Sequence, residues 1–156
     1  MIYWTIKAAL KSKFIDYVYV TSDSSKILNI SKKFGAKVIV RPKKLSLNNV
    51  PKLEAIRHAI TEIKNKYKKI NIVVSLQANS PNITAMEIDK CISVLINKNR
   101  DEVLTLDKNF NQSPSIRVMK FKTLFNTFLS THFSCVINDV ADIHTLKDLK
   151  NLELNR

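Results

Sequence analysis

Short apolar segments typical of strands alternate with amphipathic segments typical of helices along most of the chain. The predicted strands are rich in β-branched and aromatic residues and lie at 17–22, 37–41, 71–77 and 102–107. The helices predicted between them repeat apolar residues at helical spacing and lie at 23–34, 52–67 and 84–98. Such alternation is typical of proteins whose crossover helices cover a largely parallel sheet. The sequence therefore predicts an α/β fold with three α/β/α layers and a mostly parallel sheet.

The two ends of the chain extend this pattern. Further strands are predicted at 116–121 and 133–139, and further helices at 122–129 and 144–154. The chain opens with an amphipathic helix that no predicted strand precedes, and its apolar face consists of Ile2, Ile6, Ala9 and Leu10. No repeat, linker or low-complexity segment interrupts the sequence. We therefore expect a single domain spanning residues 1–156.

Composition excludes several classes of protein. Apolar residues make up 45% of the 156 residues, which is too many for a disordered chain. The apolar runs are too short to span a membrane, and the N-terminus lacks the basic and apolar regions of a secretory signal. The two cysteines, Cys91 and Cys135, have no metal-binding spacing, so we expect reduced core residues in a cytoplasmic protein.

Positive charge is concentrated in the first half of the chain. The net charge is +13, and residues 1–78 hold 16 Lys and Arg against 4 Asp and Glu, whereas residues 79–156 hold 10 against 9. This asymmetry indicates an anionic partner, such as a nucleotide, a sugar acid or a nucleic acid. It is also compatible with a lysine-rich solvated surface. A basic nucleic-acid-binding α/β domain is thus one hypothesis, although no known nucleic-acid-binding motif supports it.

The chain contains one glycine, Gly35. A Walker loop and a G-x-G-x-x-G loop each need several glycines, because the backbone must approach the phosphates closely. Both motifs are therefore excluded from these residues. Gly35 follows the predicted helix at 23–34, in the position where a glycine commonly ends a helix.

Polar clusters follow two of the predicted strands, at the end of the sheet where ligands bind in open α/β folds. The first cluster is Thr21, Ser22, Asp23 and Ser24, and the second is Gln77, Asn79, Ser80 and Pro81. A third contains Asp139, Asp142, His144 and Asp148. Each has a structural alternative, since the first can cap a helix and the second can form a turn. Asp142 and His144 either bind a metal through oxygen and imidazole or cap the last helix.

Taken in order along the chain, these clusters and the segments around them resemble the sequence motifs of the acylneuraminate cytidylyltransferases, or CMP-sialic acid synthetases, and of their relatives that activate other sugar acids. MIYWTIKAALKS matches the family pattern PLI-x-W/Y-T-I-x-A-A-x-x-S, and FIDYVYVTSDS matches I-D-x-V-x-V-S-T-D-S with Ser and Thr exchanged. FGAKVIVRPKKLS reproduces F-G-A-x-V-x-x-R-P-x-x-L-S, LQANSP matches L-Q-x-T-S-P, and DIHTLKDL matches D-I-D-T-x-x-D-L. The match covers residues 1–107 and returns near the C-terminus.

The resemblance implies a GT-A-like, Rossmann-like nucleotidyltransferase that transfers CMP from CTP to a sugar acid and releases pyrophosphate, as in nucleotide-sugar synthesis for cell-surface polysaccharides. It places Arg41, Ser22 and Asp23 near the nucleotide, and Gln77, Asn79 and Ser80 near the sugar acid. It makes Asp142 a ligand of Mg²⁺, with His144 beside it. The implied partners are CTP, a nonulosonic or related sugar acid and a second copy in a homodimer, rather than a membrane or nucleic acid.

The sequence departs from the family in three places. The A-R-x-G-S-K-type phosphate loop and the first strand, which lie upstream of the PLI motif in the family, have no counterpart here. His144 stands where the family has its second metal-site aspartate, and the region shaping the sugar pocket and dimer arm is reduced to PSIRVMKF. We therefore expect impaired catalysis from this chain alone. The alternative is a non-catalytic homologue that binds a sugar acid or a partner subunit.

Overall fold

Helices and strands alternate as the sequence predicts. The computed structural model describes residues 1–127, 130–138, 140–148 and 150. The helices are α1 (Ile2–Lys11), α2 (Ser25–Lys33), α3 (Lys52–Ile63), α4 (Ala85–Asn97) and α5 (Phe121–Leu124). The strands are β1 (Tyr19–Ser22), β2 (Lys37–Val40), β3 (Ile72–Leu76), β4 (Glu102–Leu106), β5 (Gln112–Lys120) and β6 (Phe133–Ile137). None of the helices in these residues is long and apolar enough to cross a membrane.

The strands form a parallel pair, β1–β2, and a four-stranded sheet in the order β3-β5-β4-β6. The α/β class is confirmed, but β5 runs antiparallel to both of its neighbours, whereas β4 and β6 are parallel. The cause is the short connection at 107–111, because a parallel crossover needs about a dozen residues and a hairpin does not. The parallel pairs are therefore confined to β1–β2 and β4–β6.

Helices cover both faces of the sheets. On one face, α4 packs on the four-stranded sheet through the buried Ile88 and Ile92, with Val118 of β5 in the same cluster. On the other face, α3 contributes Ile60 and Ile63 to a cluster with Met119. Consecutive residues of β5 thus point to opposite layers, as strand geometry requires. The predicted three-layer arrangement follows from these two clusters.

Local signals in the sequence fix both ends of helix α2. The Ser24 side chain accepts a hydrogen bond from the Ile27 backbone N–H at 3.4 Å, so Ser24 rather than Asp23 caps α2. Gly35 has φ +91°, the left-handed conformation expected just after a helix. The capping alternative for Asp23 is therefore wrong, and its carboxylate is available for another role.

One edge of β1 and one edge of β3 carry no strand. Within the described residues, β1 makes ladder bonds only with β2, and β3 only with β5. Both strands contribute to the cluster beneath α3, through Tyr19 and Val73. The absence of a central first strand from this chain stays a prediction, and the two open edges are consistent with it.

Four expectations need correction or fall outside the described residues. Helix α5 ends at Leu124 rather than at residue 129, and residues 128 and 129 lie outside the described part. The closing helix predicted at 144–154 also extends beyond it, as does Asp139. Cys91 is buried as expected, but Cys135 is exposed because β6 presents alternate residues to solvent; both thiols are free.

Candidate functional site

The carboxyl ends of β1 and β2 bring three predicted site residues together. Ser22 ends β1, and its carbonyl oxygen accepts a hydrogen bond from the Arg41 backbone N–H at 2.9 Å. The Arg41 guanidinium lies 3.8 Å from the Asp23 carboxylate, and its Nε donates to Ser46 Oγ at 3.0 Å. The side chain of Arg41 is 24% exposed, so its guanidinium is oriented but still reachable by a ligand. Ser22, Asp23, Arg41 and Ser46 are hereafter called the Arg41 cluster.

The loop after β3 contains buried polar atoms without partners. The backbone N–H of Gln77 continues the β3–β5 ladder by donating to the Ser115 carbonyl at 3.0 Å. The Thr5 hydroxyl of α1 donates to the Gln77 carbonyl at 3.4 Å. Among the described residues, no hydrogen bond reaches Gln77 Oε1 or Ser80 Oγ, and Ser80 is only 1% exposed. Buried polar atoms of this kind are normally paired, so both are candidates to bind a ligand or water.

Asn79 joins this loop to the segment that contains Asp142 and His144. Its Nδ2 donates to Asp142 Oδ1 at 2.6 Å, and its carbonyl oxygen accepts from the Ile143 N–H at 2.9 Å. The other carboxylate oxygen of Asp142 lies 2.9 Å from His144 Nε2. Asn79, Asp142 and His144 thus form one hydrogen-bonded group, although Asp142 and His144 lie 63 and 65 positions after Asn79 in the sequence. This group is hereafter called the Asp142 cluster.

Two further contacts hold the Asp142 segment in place. The Ala141 N–H donates to Asn82 Oδ1 at 3.0 Å. Asp148 Oδ2 accepts from the backbone N–H groups of His144 and Thr145, and these hydrogen bonds lower the pKa of the Asp148 carboxyl. Thr145 Oγ1 in turn accepts from the Asp148 N–H. Thr145 and Asp148 therefore cap the last helical turn, which leaves Asp142 and His144 free of the capping role.

The Asp142 cluster offers a carboxylate and an imidazole to a cation. Within the described residues, no group of three or more His, Cys, Asp and Glu side chains is placed to hold a metal. A cation at Asp142 and His144 would therefore take most of its ligands from water or substrate oxygens. Oxygen-rich substrates such as phosphates and carboxylates supply such ligands.

The predicted site residues form two groups rather than one. No hydrogen bond or ion pair between described residues joins the Arg41 cluster to the Asp142 cluster. Sequence reasoning missed the supporting contacts of Thr5, Asn82 and Asp148. Asn82 and Thr5 lie inside the quoted motifs or next to them, but their partners are distant in sequence, and no local pattern indicates them.

The profile of the family described as Cytidylyltransferase matches residues 1–129. The chain belongs to the cytidylyltransferase family. This result confirms the family resemblance, and the match includes the first four of the five motifs, with the whole Arg41 cluster and the Gln77–Ser80 loop, but not the motif DIHTLKDL.

Two relatives illustrate the range of this family. The chain is 24% identical over 111 residues to N-acylneuraminate cytidylyltransferase A of Danio rerio, covering 71% of this chain and 25% of that protein. It is 34% identical over 104 residues to 3-deoxy-manno-octulosonate cytidylyltransferase of Thermodesulfovibrio yellowstonii, covering 67% of this chain and 40% of that protein. The matches thus span between a quarter and two fifths of these curated relatives.

Solved structures of low sequence identity share the fold. A CMP:2-keto-3-deoxy-manno-octonic acid synthetase complexed with CTP superimposes with a TM-score of 0.74 at 12% identity, over 99% of this chain and 86% of that one. A cytidylyltransferase from Leptospira borgpetersenii has a TM-score of 0.72 at 15% identity, over 97% of this chain and 73% of that one. The fold of this cytidylyltransferase-family chain is therefore GT-A-like.

Proposed function

We propose that this chain is a sugar-acid cytidylyltransferase that acts on an acylneuraminate-type substrate in the cytoplasm. In the proposed reaction, the anomeric hydroxyl of the sugar acid attacks the α-phosphate of CTP. A new P–O bond forms, the bond between the α- and β-phosphates breaks, and pyrophosphate leaves with the bonding electrons while the hydroxyl proton passes to water. The observation that carries this proposal is the Gln77–Ser80 loop beside the Asp142 cluster, since Gln77 Oε1 and Ser80 Oγ are buried and have no partner among the described residues.

The Arg41 cluster is the proposed nucleotide side of the site. Arg41 is fixed by Ser46 and by the carboxylate of Asp23, which keeps its guanidinium at the carboxyl ends of β1 and β2. A guanidinium can contact phosphate through two parallel N–H groups, and its charge offsets the charge of a triphosphate. Ser22 contributes through its backbone, which aligns Arg41 with β1.

The Gln77–Ser80 loop is the proposed sugar-acid side. Gln77 Oε1 can accept a hydrogen bond from a sugar hydroxyl, and Ser80 Oγ can donate to a carboxylate or accept from a hydroxyl. Asn79 acts differently, because its side-chain amide already donates to Asp142 and its backbone carbonyl already accepts from the Ile143 N–H. We therefore expect Asn79 to position the carboxylate of Asp142 rather than to contact the sugar.

Asp142 and His144 are the residues that would hold a divalent cation, Mg²⁺ by resemblance to the family. When bound, such a cation supplies positive charge to the phosphates as the leaving group departs. The donor set suits a dication, because the carboxylate provides a hard oxygen and no lysine or arginine contacts it among the described residues.

We further propose that catalysis by residues 1–156 alone is impaired. The chain has a single glycine, which ends α2 and lies at φ +91°, so it does not form a phosphate loop. Without such a loop, the triphosphate would meet Arg41 but no cradle of backbone N–H groups. Loss of correctly placed donors to the developing charge costs orders of magnitude in rate.

The test is release of pyrophosphate from CTP by the purified chain, with N-acetylneuraminate and 3-deoxy-manno-octulosonate as separate acceptors. We expect little release from the chain alone, and a clear gain when an N-terminal extension supplies a strand and an A-R-x-G-S-K loop. In the extended protein, Gln77→Ala should reduce release, whereas Gln112→Ala, an exposed glutamine at the start of β5, should not. No release from the extended protein with either acceptor would favour a non-catalytic homologue.

A further inference from the structure

We propose that the cation site at Asp142 and His144 selects a transition-metal dication such as Mn²⁺ over Mg²⁺. This inference rests on the proposed function in taking Asp142 as a cation ligand. It concerns which cation binds, and cation binding can be measured without any nucleotide or sugar acid.

Asp142 and His144 lie on either side of one buried residue, and both of their side chains reach the surface. Between them lies Ile143, which is 5% exposed and whose N–H is bound to the Asn79 carbonyl at 2.9 Å. Asp142 and His144 are respectively 41% and 70% exposed. Ile143 is buried between them, so the carboxylate of Asp142 and the imidazole of His144 are both presented to solvent.

The spacing of the pair fits two adjacent ligands of one octahedral cation. Asp142 Oδ2 and His144 Nε2 lie 2.9 Å apart. Two ligands at right angles, each about 2.1 Å from a cation, are about 3.0 Å apart. A cation can therefore bind both atoms once the imidazole turns so that the Nε2 lone pair points to the cation instead of to Asp142 Oδ2.

The orientation of Asp142 is set by a partner outside the cation site. Asn79 Nδ2 donates to Oδ1 at 2.6 Å, which leaves Oδ2 directed toward His144. A hydrogen bond from such a supporting residue orients the ligand and usually affects metal affinity strongly. Asn79 thus prepares one oxygen of Asp142 for a cation.

The ligand types determine which cation is preferred. Mg²⁺ takes oxygen ligands in nearly all its protein sites and loses its water reluctantly. Imidazole nitrogen suits the first-row transition metals, whose affinity for mixed nitrogen and oxygen sites exceeds that of the harder cations. A site with one carboxylate and one imidazole therefore favours Mn²⁺ or its heavier neighbours over Mg²⁺, whereas a pair of carboxylates suits Mg²⁺ and Mn²⁺ alike.

A second Asp–His pair in the chain provides the control. His132 Nδ1 lies 3.8 Å from Asp101 Oδ2, but the ammonium groups of Lys120 and Lys122 lie 3.2 and 3.6 Å from Asp101 Oδ1. The carboxylate of Asp101 is thus already neutralised by two lysines, which repel a metal cation. We expect no metal binding at this pair.

The experiment is a titration of the intact chain with Mn²⁺, followed by electron paramagnetic resonance of the free ion and repeated in competition with Mg²⁺. We expect Mn²⁺ to bind at least about tenfold more tightly than Mg²⁺, and His144→Ala or Asn79→Ala to weaken Mn²⁺ binding by about tenfold or more. His144→Asp should narrow the difference between the two cations, because a carboxylate pair suits both, and His132→Ala should change neither affinity. Circular dichroism checks that each variant is folded.

Nuclear magnetic resonance of the three histidine side chains gives an independent readout. Substoichiometric Mn²⁺ should broaden the imidazole signal of His144 and leave those of His58 and His132 sharp. Equal or tighter binding of Mg²⁺ by the unmodified chain, or broadening at His132 instead, would overturn the inference. Tight Mn²⁺ binding without pyrophosphate release by the extended protein would overturn the proposed function while leaving the metal preference standing.

Discussion

At the scale of single residues, burial separates the chemistry of the two cysteine thiols. Cys91 is 1% exposed within α4, and burial raises its pKa to about 11, so it remains protonated at neutral and mildly alkaline pH. Cys135 lies on the exposed side of β6. Because the thiolate is the reactive form, we expect one fast-reacting thiol per native chain at pH 8 and two after denaturation. Titration with Ellman's reagent measures both numbers.

Substitution of Cys135 by serine identifies the reactive thiol. The Cys135→Ser variant should show no fast reaction in the native state and one thiol after denaturation. Two equally fast thiols in the native protein would contradict the burial of Cys91.

The lowered pKa of Asp148 predicts that the stability of the segment carrying Asp142 and His144 depends on pH. Hydrogen bonds from the His144 and Thr145 backbone N–H groups hold the pKa of Asp148 below its ordinary value of 3.8. A carboxyl whose pKa is lower in the folded than in the unfolded state stabilises the fold above the unfolded pKa. That stabilisation is lost as the pH falls through the lowered pKa. We therefore expect the segment at 142–148 to loosen only below about pH 4.

The His144 and Thr145 amide signals, followed by nuclear magnetic resonance between pH 6 and pH 2, measure this transition. The Asp148→Asn variant should show loosened amides already at pH 6, with no further change as the pH falls. Amides that titrate together near pH 6 in the unmodified chain would instead assign the transition to a histidine.

At the scale of elements, Thr105 holds the irregular part of the β4–β5 hairpin. The register shifts between Leu104 and Thr105, where β4 pairs with β5. The Thr105 side chain is fully buried, and its hydroxyl donates to the Ser113 carbonyl at 2.7 Å and accepts from the Ile116 N–H at 3.2 Å. Thr105→Val keeps the shape but removes both hydrogen bonds, and should lower the free energy of unfolding by about 1–3 kcal/mol.

Urea denaturation measures this loss. Thr105→Ser serves as the comparison, because it keeps the hydroxyl and removes only a methyl group, at a cost of about 1 kcal/mol. A valine variant as stable as the native chain would show that the shifted register does not depend on the hydroxyl.

Local patterns predicted most elements but not their pairing. Helices α1 to α4 were predictable because their apolar spacing lies within each segment, and Ser24 and Gly35 also mark the two ends of α2. The antiparallel direction of β5 depends on the short connection at 107–111, which the strand pattern alone does not indicate. In the candidate site, the residues at strand ends were predictable, but the bond from Asn79 to Asp142 spans 63 positions and depends on the tertiary fold.

At the scale of the whole molecule, the two sheets place the two parts of the candidate site at the ends of different strands. The Arg41 cluster lies at the ends of β1 and β2, whereas the Gln77–Ser80 loop follows β3. The strands β1 and β3 each have an open edge. Helix α1 contacts α2 through Tyr3 and Phe34, and it contacts β3 through the bond from Thr5 to Gln77. Among the described residues, both edges therefore leave backbone groups with which a further strand could pair.

Hydrogen exchange tests whether those edges are open in solution. Amides of β1 and β3 that face away from β2 and β5 have no ladder partner among the described residues, so they should exchange much faster than the amides of β5, which is paired on both sides. An N-terminal extension that carries a strand should slow their exchange, because an added strand supplies the missing acceptors. The amides of β5 serve as the internal control, since their exchange should change only with global stability. Equally slow exchange of the edge amides in the unextended chain would show that its own residues already cover both edges.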